Sequence, residues 1–296
     1  MNFGRLLTAM VTPFNNELEI DLSKVEPLIS HLVDVNTEGL VVAGTTGESP
    51  TLTVEEKIEL WREVKRAKPK NMPMIAGTGS NSTKSTIELS KRAEKIGADG
   101  IMLVTPYYNK PPQKDLFNHF QVVAQEVDIP VMLYNVPKRT GANLEPETVF
   151  ELAKMDNIVA IKEASGDMEQ LSRLSQQIYN SEEVNIDVYS GEDSVTLPMM
   201  SLGAKGVVSV ASQIAGHKIF QMIESFFKGE VGHSAKIHSK LLPVFQALTL
   251  STNPIPVKEA LNLSGVKVGG LREPLSSLDE QSTVKLQQIL TDEQYI

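Results

Sequence analysis

Lys162 follows a short apolar run, Ile158, Val159, Ala160 and Ile161, and precedes Glu163, Ala164, Ser165 and Gly166. So short a run, rich in β-branched residues and bounded by glycine, reads as a buried strand, with the lysine where the strand opens into a loop. Burial disfavours an ammonium and lowers its pKa, which makes a nucleophilic amine available near neutral pH. Such an amine attacks ketones to form a Schiff base. The competing reading is a strand-end lysine that buries its stem and sends its charge to solvent or to a carboxylate. Glu163 suits that second role poorly, because adjacent strand residues point to opposite faces. The segment alone leaves both readings open.

Other groups fit the chemistry such an amine needs. Tyr134 closes the apolar run 131–134, the strand expected immediately before that of Lys162, so the two groups should be neighbours. A buried phenol there can pass protons to and from a carbinolamine or an alkoxide; an amphipathic core tyrosine is the alternative. Thr45 and Thr46 lie between Gly44 and Gly47, where backbone N–H groups can turn inward and hold a carboxylate, although an ordinary glycine-bounded turn looks the same. Arg139, in Lys138, Arg139, Thr140 and Gly141, carries a fork suited to a carboxylate, or is a solvated loop arginine. Tyr108 follows Tyr107 in a turn flanked by prolines and reads as a proton shuttle, an aromatic wall or an interface anchor.

Several other chemistries lack their residues. The chain has no cysteine, which removes thiolate nucleophiles, iron–sulfur clusters and disulfides. Its five histidines (His31, His119, His217, His233 and His238) are scattered without metal-ligand spacing, so no metal site is expected. Gly77, Thr78, Gly79 and Ser80 lack both the lysine of a phosphate-binding loop and the third glycine of a dinucleotide turn. No Gly-x-Ser-x-Gly elbow stands out.

The elements that must position these groups recur along the chain. Short apolar runs lie at 6–11, 40–43, 72–76, 101–104, 131–134, 158–161, 186–189 and 206–210. Amphipathic helical patterns fall between them at 54–67, 86–96, 116–127, 145–155 and 168–179, with caps expected at 80–83 and 193–194. Repeats of roughly 30 residues are the size of a βα unit. Eight of them predict an α/β fold, a (β/α)8 barrel over residues 1–228, in preference to an open doubly wound sheet. Helical patterns follow at 216–228, 234–250, 256–263 and 278–290, and those beyond residue 228 predict a C-terminal helical domain over 229–296. Active sites of such barrels lie at the carboxyl ends of the strands. The turns there carry Thr45, Tyr108, Tyr134, Lys162 and Gly191, which favours Lys162 as a reacting group.

Composition narrows the setting. Apolar residues at 41% and charged residues at 22% of 296 fit a globular protein with a large core. A net charge of −9 argues against nucleic-acid or anionic-membrane surfaces. No run reaches membrane-spanning length, and the first residues do not read as a signal peptide. A cytoplasmic protein is expected.

Eight motifs together carry a family resemblance: GTTGE at 44–48, IAGTG at 75–79, TPYYNKP at 105–111, LYNVPKRTG at 133–141, IKEASG at 161–166, YSGED at 189–193, GVVSV at 206–210 and NPIPVK at 253–258. The chain closely resembles the dihydrodipicolinate synthases, class I pyruvate-dependent aldolases, over nearly its whole length. The resemblance implies a barrel with a helical C-terminal domain, in a homotetramer or tight dimer. It implies an imine of pyruvate on Lys162, with no metal or organic cofactor, and aspartate 4-semialdehyde as acceptor. Tyr134 would be proton donor and acceptor, linked through Thr45 to Tyr108 reaching in from a neighbouring subunit. Thr45 and Thr46 would hold the pyruvate carboxylate with help from Val208, Arg139 would meet the acceptor's carboxylate, and Gly191 would line the pocket. Sialic acid and keto-sugar-acid lyases share the lysine and tyrosine, and a catalytically silent keto-acid binder is a further alternative.

One departure concerns regulation. Lysine-inhibited members commonly carry a histidine near positions 54 or 57 and an acid near 85. This chain has Val54, Lys57 and Ser85, while Ser49, Asn81 and Tyr107 still suit an effector site. Loss of the acid removes an attraction for an ammonium and Lys57 adds a like charge, so weak or absent lysine feedback is expected.

Overall fold

The computed structural model describes residues 3–296. Eight strands, β1 (Leu6–Ala9), β2 (Gly39–Val42), β3 (Met74–Gly77), β4 (Gly100–Val104), β5 (Val131–Asn135), β6 (Ile158–Glu163), β7 (Asp187–Ser190) and β8 (Gly206–Ser209), follow one another around a closed barrel in chain order. Each falls on one of the expected apolar runs. The strands are short and almost wholly buried, as expected where helices cover a parallel sheet.

The helices are α1 (Val25–Asp34), α2 (Val54–Ala67), α3 (Thr83–Ile96), α4 (Gln113–Gln125), α5 (Pro137–Thr140) and α6 (Pro146–Leu152), followed by α7 (Met168–Tyr179), α8 (Thr196–Ser201), α9 (Ser212–Phe227), α10 (Val231–Ala247), α11 (Ile255–Leu263) and α12 (Glu280–Asp292). Local chemistry sets their ends. Thr53 and Glu56 form a reciprocal capping box at the start of α2, whose first turn is acidic and whose last is basic, matching the helix dipole. Its buried face carries Ile58, Leu60, Trp61 and Val64. Ser82 caps α3, and Gly97 ends it at φ +85°, a conformation that suits glycine. The cap expected at 193–194 does not form. Asp193 begins a 3₁₀ turn, and α8 starts without a side-chain cap.

Two compact units make up the chain: residues 73–208, and residues 3–72 together with 209–296. The first contains β3 to β7 and α3 to α8. In it β5 and β6 pair in parallel with Leu133 opposite Ile161, Tyr134 opposite Lys162, and Asn135 opposite Glu163. The second joins β1, β2, α1 and α2 to α9–α12, with Leu6, Leu7, Val41, Val42, Trp61 and Leu241 fully buried or nearly so. Among the described residues no helix is long and apolar enough to cross a membrane.

Candidate active site

Strand alternation explains the arrangement around Lys162. Tyr134 and Lys162 are register partners, so their side chains leave the sheet on the same face, while Asn135 and Glu163 take the other. Lys162 Nζ stands 4.5 Å from the centroid of the Tyr134 ring. The lysine is only 5% exposed. Burial pushes its ammonium down to about 8, opposed by the negative charge of Asp193 and assisted by Arg139. The strand runs one residue further than the sequence suggested, through Glu163.

Gly191 faces the same lysine. Its N–H donates to Glu163 O at 2.7 Å. A Cβ on this glycine would fall 2.6 Å from Ala164 Cβ and 3.1 Å from Lys162 Cε, so the absence of a side chain is what lets the segment approach the amine. Arg139 is exposed on the short helix α5, which Gly141 ends at φ +72°. Tyr108 holds a left-handed φ of +75° and is 89% exposed, and its N–H donates to Thr140 O at 3.3 Å. The turns bearing Tyr108 and Arg139 are thus tied together. Asn81 accepts through its carbonyl from Asn109 Nδ2 at 3.0 Å, and Tyr107 is 39% exposed. Val208 is fully buried in β8.

Behind this face lies a polar network that the sequence reading did not single out. Asn135 Nδ2 donates to Glu163 Oε2 at 3.0 Å and to Asn143 Oδ1 at 2.9 Å, while Asn135 Oδ1 accepts from Leu144 N at 2.9 Å. Gln170 Nε2 donates to Glu163 Oε2 at 3.3 Å, and Ser165 N donates to Glu163 Oε1 at 2.6 Å. Burial raises the pKa of Glu163, and these donors oppose the rise. Asn143 and Leu144 close the loop that begins after Tyr134 and carries Arg139, so the network fixes both ends of that loop. A polar residue directly after Tyr134 and another directly after Lys162, each at the end of an otherwise apolar strand, are the signal that would have exposed it. Asp193, inside the YSGED motif, was expected only as a helix cap, and its effect on the Lys162 pKa comes from the fold.

In the other unit, residues 44–47 form the turn after β2. Non-glycine residues with left-handed backbones flank it, Ala43 and Glu48, each at φ +56°. Thr46 is buried and Thr45 half-buried. Gly47 O accepts from Thr12 Oγ1 at 2.7 Å, and a Cβ on Gly47 would lie 3.1 Å from the Ala43 backbone. Ser49 follows directly, its N–H donating to Gly44 O at 3.2 Å.

Two further observations bear on the chemistry. Among the described residues no group of three or more His, Cys, Asp or Glu side chains is placed to hold a metal ion. A polar cavity of about 400 Å³ is lined by Lys154, Asp156, Glu183, Asp187 and Lys205. It lies by the first residues of β6 and β7, at the opposite end of β6 from Lys162, and Lys205 is already paired with Asp187 at 2.5 Å. The depressed amine and its tyrosine make the other end the better candidate.

Comparison with known proteins identifies the family. Residues 2–293 match the Dihydrodipicolinate synthetase family. The 4-hydroxy-tetrahydrodipicolinate synthase of Oceanobacillus iheyensis is 50% identical over 292 residues, 99% of this chain and 98% of that protein. Its Bacillus subtilis counterpart is 50% identical over 293 residues, 99% of this chain and 100% of that protein. Among solved structures, a dihydrodipicolinate synthase of Bacillus anthracis superposes with a TM-score of 0.94 at 45% identity, covering 98% of each chain. The Cyanidioschyzon merolae enzyme with lysine bound gives 0.95 at 45% identity, covering 99% of each. With a closed eight-stranded barrel, a buried amine beside a tyrosine and this extent of likeness, the chain belongs to the dihydrodipicolinate synthetase family.

Proposed function

We propose that the chain condenses pyruvate with L-aspartate 4-semialdehyde, through an imine on Lys162, to give 4-hydroxy-tetrahydrodipicolinate. It is a lyase of the diaminopimelate and lysine pathway. The observation that carries the mechanism is the register pairing of Tyr134 with a buried Lys162 whose pKa is pushed down to about 8. A useful fraction of the amine is then neutral near pH 7 to 8. Neutral Lys162 attacks the ketone carbon, and loss of water leaves an imine. Removal of a methyl proton gives the enamine, whose carbon adds to the aldehyde. The acceptor's amino group then displaces the lysine by transimination, which closes the ring and frees the enzyme. The iminium is the electron sink, so the steps call for no metal or organic cofactor.

Each remaining group has a role in this reading. Tyr134 carries protons to and from the carbinolamine and the alkoxide, which its closeness to Nζ supports. The backbone of Thr45 and Thr46 holds the pyruvate carboxylate, with Val208 beside it, since in a closed parallel barrel the carboxyl ends of the strands open on one face. Arg139 receives the carboxylate of the semialdehyde, and its influence on the Lys162 pKa supports that placement. Gly191 leaves room for substrate against Lys162. Tyr108, left-handed and 89% exposed, suits a residue that enters the site of a second copy and meets Thr45 there, in a tight dimer or homotetramer. The cytoplasm, where pyruvate is made, is the expected compartment.

The test is pyruvate consumption by purified protein with aspartate semialdehyde, N-acetylmannosamine or glyceraldehyde as acceptor. Turnover with the semialdehyde alone is expected. Preference for a sugar aldehyde would keep the Lys162 chemistry and overturn the acceptor, and no turnover with any of them would favour a silent keto-acid binder.

A further inference from the structure

Glu48 is a buried acid for which the imine chemistry has no use. It follows the turn 44–47 directly, and neither its carboxylate nor the Lys258 side chain facing it is exposed by more than 1%. Lys258 Nζ stands 2.6 Å from Glu48 Oε1, donates to Gly270 O at 2.6 Å, and lies 4.0 Å from the centroid of the Phe14 ring. Burial lowers the Lys258 pKa to about 8, against the attraction of Glu48. The other carboxylate oxygen of Glu48 accepts from the backbone N–H of Arg272 at 3.0 Å. The guanidinium of Arg272 is itself held by Leu18 O, Thr51 O and both carboxylate oxygens of Glu56, at 2.5 to 2.9 Å. Two residues before Glu48, Thr46 Oγ1 accepts from Asn253 Nδ2 at 2.9 Å.

Both sides of Gly47 are therefore fastened to residues 253–272, beyond the last barrel strand. A buried ion pair adds little stability relative to a packed apolar pair, so its value lies in fixing geometry. A left-handed non-glycine residue persists where its surroundings over-determine it, and the carboxylate of Glu48, at φ +56°, is held in this way through both of its oxygens. An anion nest, for its part, needs successive N–H groups aimed at one point. We propose that Asn253, Lys258 and Arg272 are positioning residues for the turn 44–47. Acting through Thr46 and Glu48, they aim the N–H groups of Thr45 and Thr46 and so set the affinity for the carboxylate of the keto acid. The C-terminal segment is on this view part of the first-substrate site. The inference rests on the reading of the site as a pyruvate imine centre.

Wild-type protein is first treated with pyruvate and borohydride; failure to form an adduct there would overturn the reading of the site and this inference with it. Where the adduct forms, Asn253→Ala and Glu48→Gln test the inference alone. Asn253→Ala removes one half-buried hydrogen bond without stranding a charge, and Glu48→Gln keeps an acceptor for Arg272 N. Both variants are expected to raise the KM for pyruvate about tenfold, the effect of one lost or misaimed charge-assisted hydrogen bond. The kcat, the KM for the semialdehyde and the rising limb of the pH profile should stay near wild type. A pyruvate KM within about twofold of wild type in the folded variants, even with a lowered melting temperature, would reduce the cluster to a structural role and overturn the proposal. So would a parallel rise of both KM values. Should Glu48→Gln not fold, Asn253→Ala decides by itself.

Discussion

Tyr134 and Lys162 are direct register partners on adjacent parallel strands, and the lysine Nζ rests 4.5 Å from the centre of the tyrosine ring. The pairing places a phenol and an amine on one face by strand geometry alone, with no loop conformation involved. It also surrounds the amine with low-polarity groups, and this burial is the leading cause of its depressed pKa. The phenol and the amine proposed as acid–base partner and nucleophile are therefore set by the same few ladder bonds.

Replacing Lys162 with alanine should abolish borohydride trapping of pyruvate and lower kcat by roughly a thousandfold or more, because the covalent route is lost. Mass spectrometry of the reduced protein reads this directly. A pyruvate adduct on the variant would place the imine on another amine.

The pH dependence follows from the lowered pKa. Only the neutral amine attacks, so kcat/KM should rise with pH through an inflection near 8, the pKa of buried Lys162. Stability moves in the same direction. The folded state releases this proton near 8 and the unfolded state only near the ordinary lysine value, so the unfolded chain binds more protons between the two and stability from this group increases with pH across that window. At pH 7 a Lys162→Met variant should accordingly be more stable than wild type by on the order of 3 kcal/mol. The difference should shrink as the pH climbs from 8 towards 10. Denaturant melts of both proteins across that range check the sign.

Arg139→Ala should raise the KM for aspartate semialdehyde about ten- to a hundredfold, as expected for loss of a charged contact to a carboxylate, while pyruvate trapping continues. Rapid-quench measurement of imine formation separates the two steps. Slowed trapping would mean that the arginine acts on the first substrate instead.

Gly191→Ala would drive a methyl group against Ala164 Cβ and Lys162 Cε. Overpacking of this kind costs about 1 to 3 kcal/mol, and here the strain falls on the reacting side chain. Imine formation should slow more than stability falls, which stopped-flow trapping alongside a thermal melt will show.

Lysine is expected to inhibit weakly or not at all. Val54 is 41% exposed at the start of α2, and Lys57 is half-buried with its pKa lowered by burial. Ser85 is occupied with the cap of α3, its hydroxyl donating to Ser82 Oγ at 3.1 Å. Initial rates at physiological lysine concentrations provide the measurement, and strong inhibition there would refute the expectation.

Much of this was legible in the chain itself. Alternation of apolar runs with amphipathic stretches gave the number and order of barrel strands, because both periodicities are local and imposed by burial. Lys162 could be read as a strand-end amine and Tyr134 as its neighbour for the same reason. Spacing along the chain carried no information on register, and it took the fold to align Tyr134 with Lys162 rather than with Glu163. The partners of Glu163 were equally hidden, since Asn135 and Gln170 reach it from different elements.

What the sequence determined by itself was the repertoire: eight βα units, one lysine at the end of a buried strand, and a glycine-bounded turn after β2. Only the tertiary structure decided that Gly191 abuts Lys162, that Asp193 and Arg139 pull its pKa in opposite directions, and that Glu48 meets Lys258 more than two hundred residues along the chain. The physical reason is range. Propensity and periodicity act over one element, whereas desolvation, close approach and ion pairing depend on which distant groups the closed sheet and its helices bring within a few ångströms.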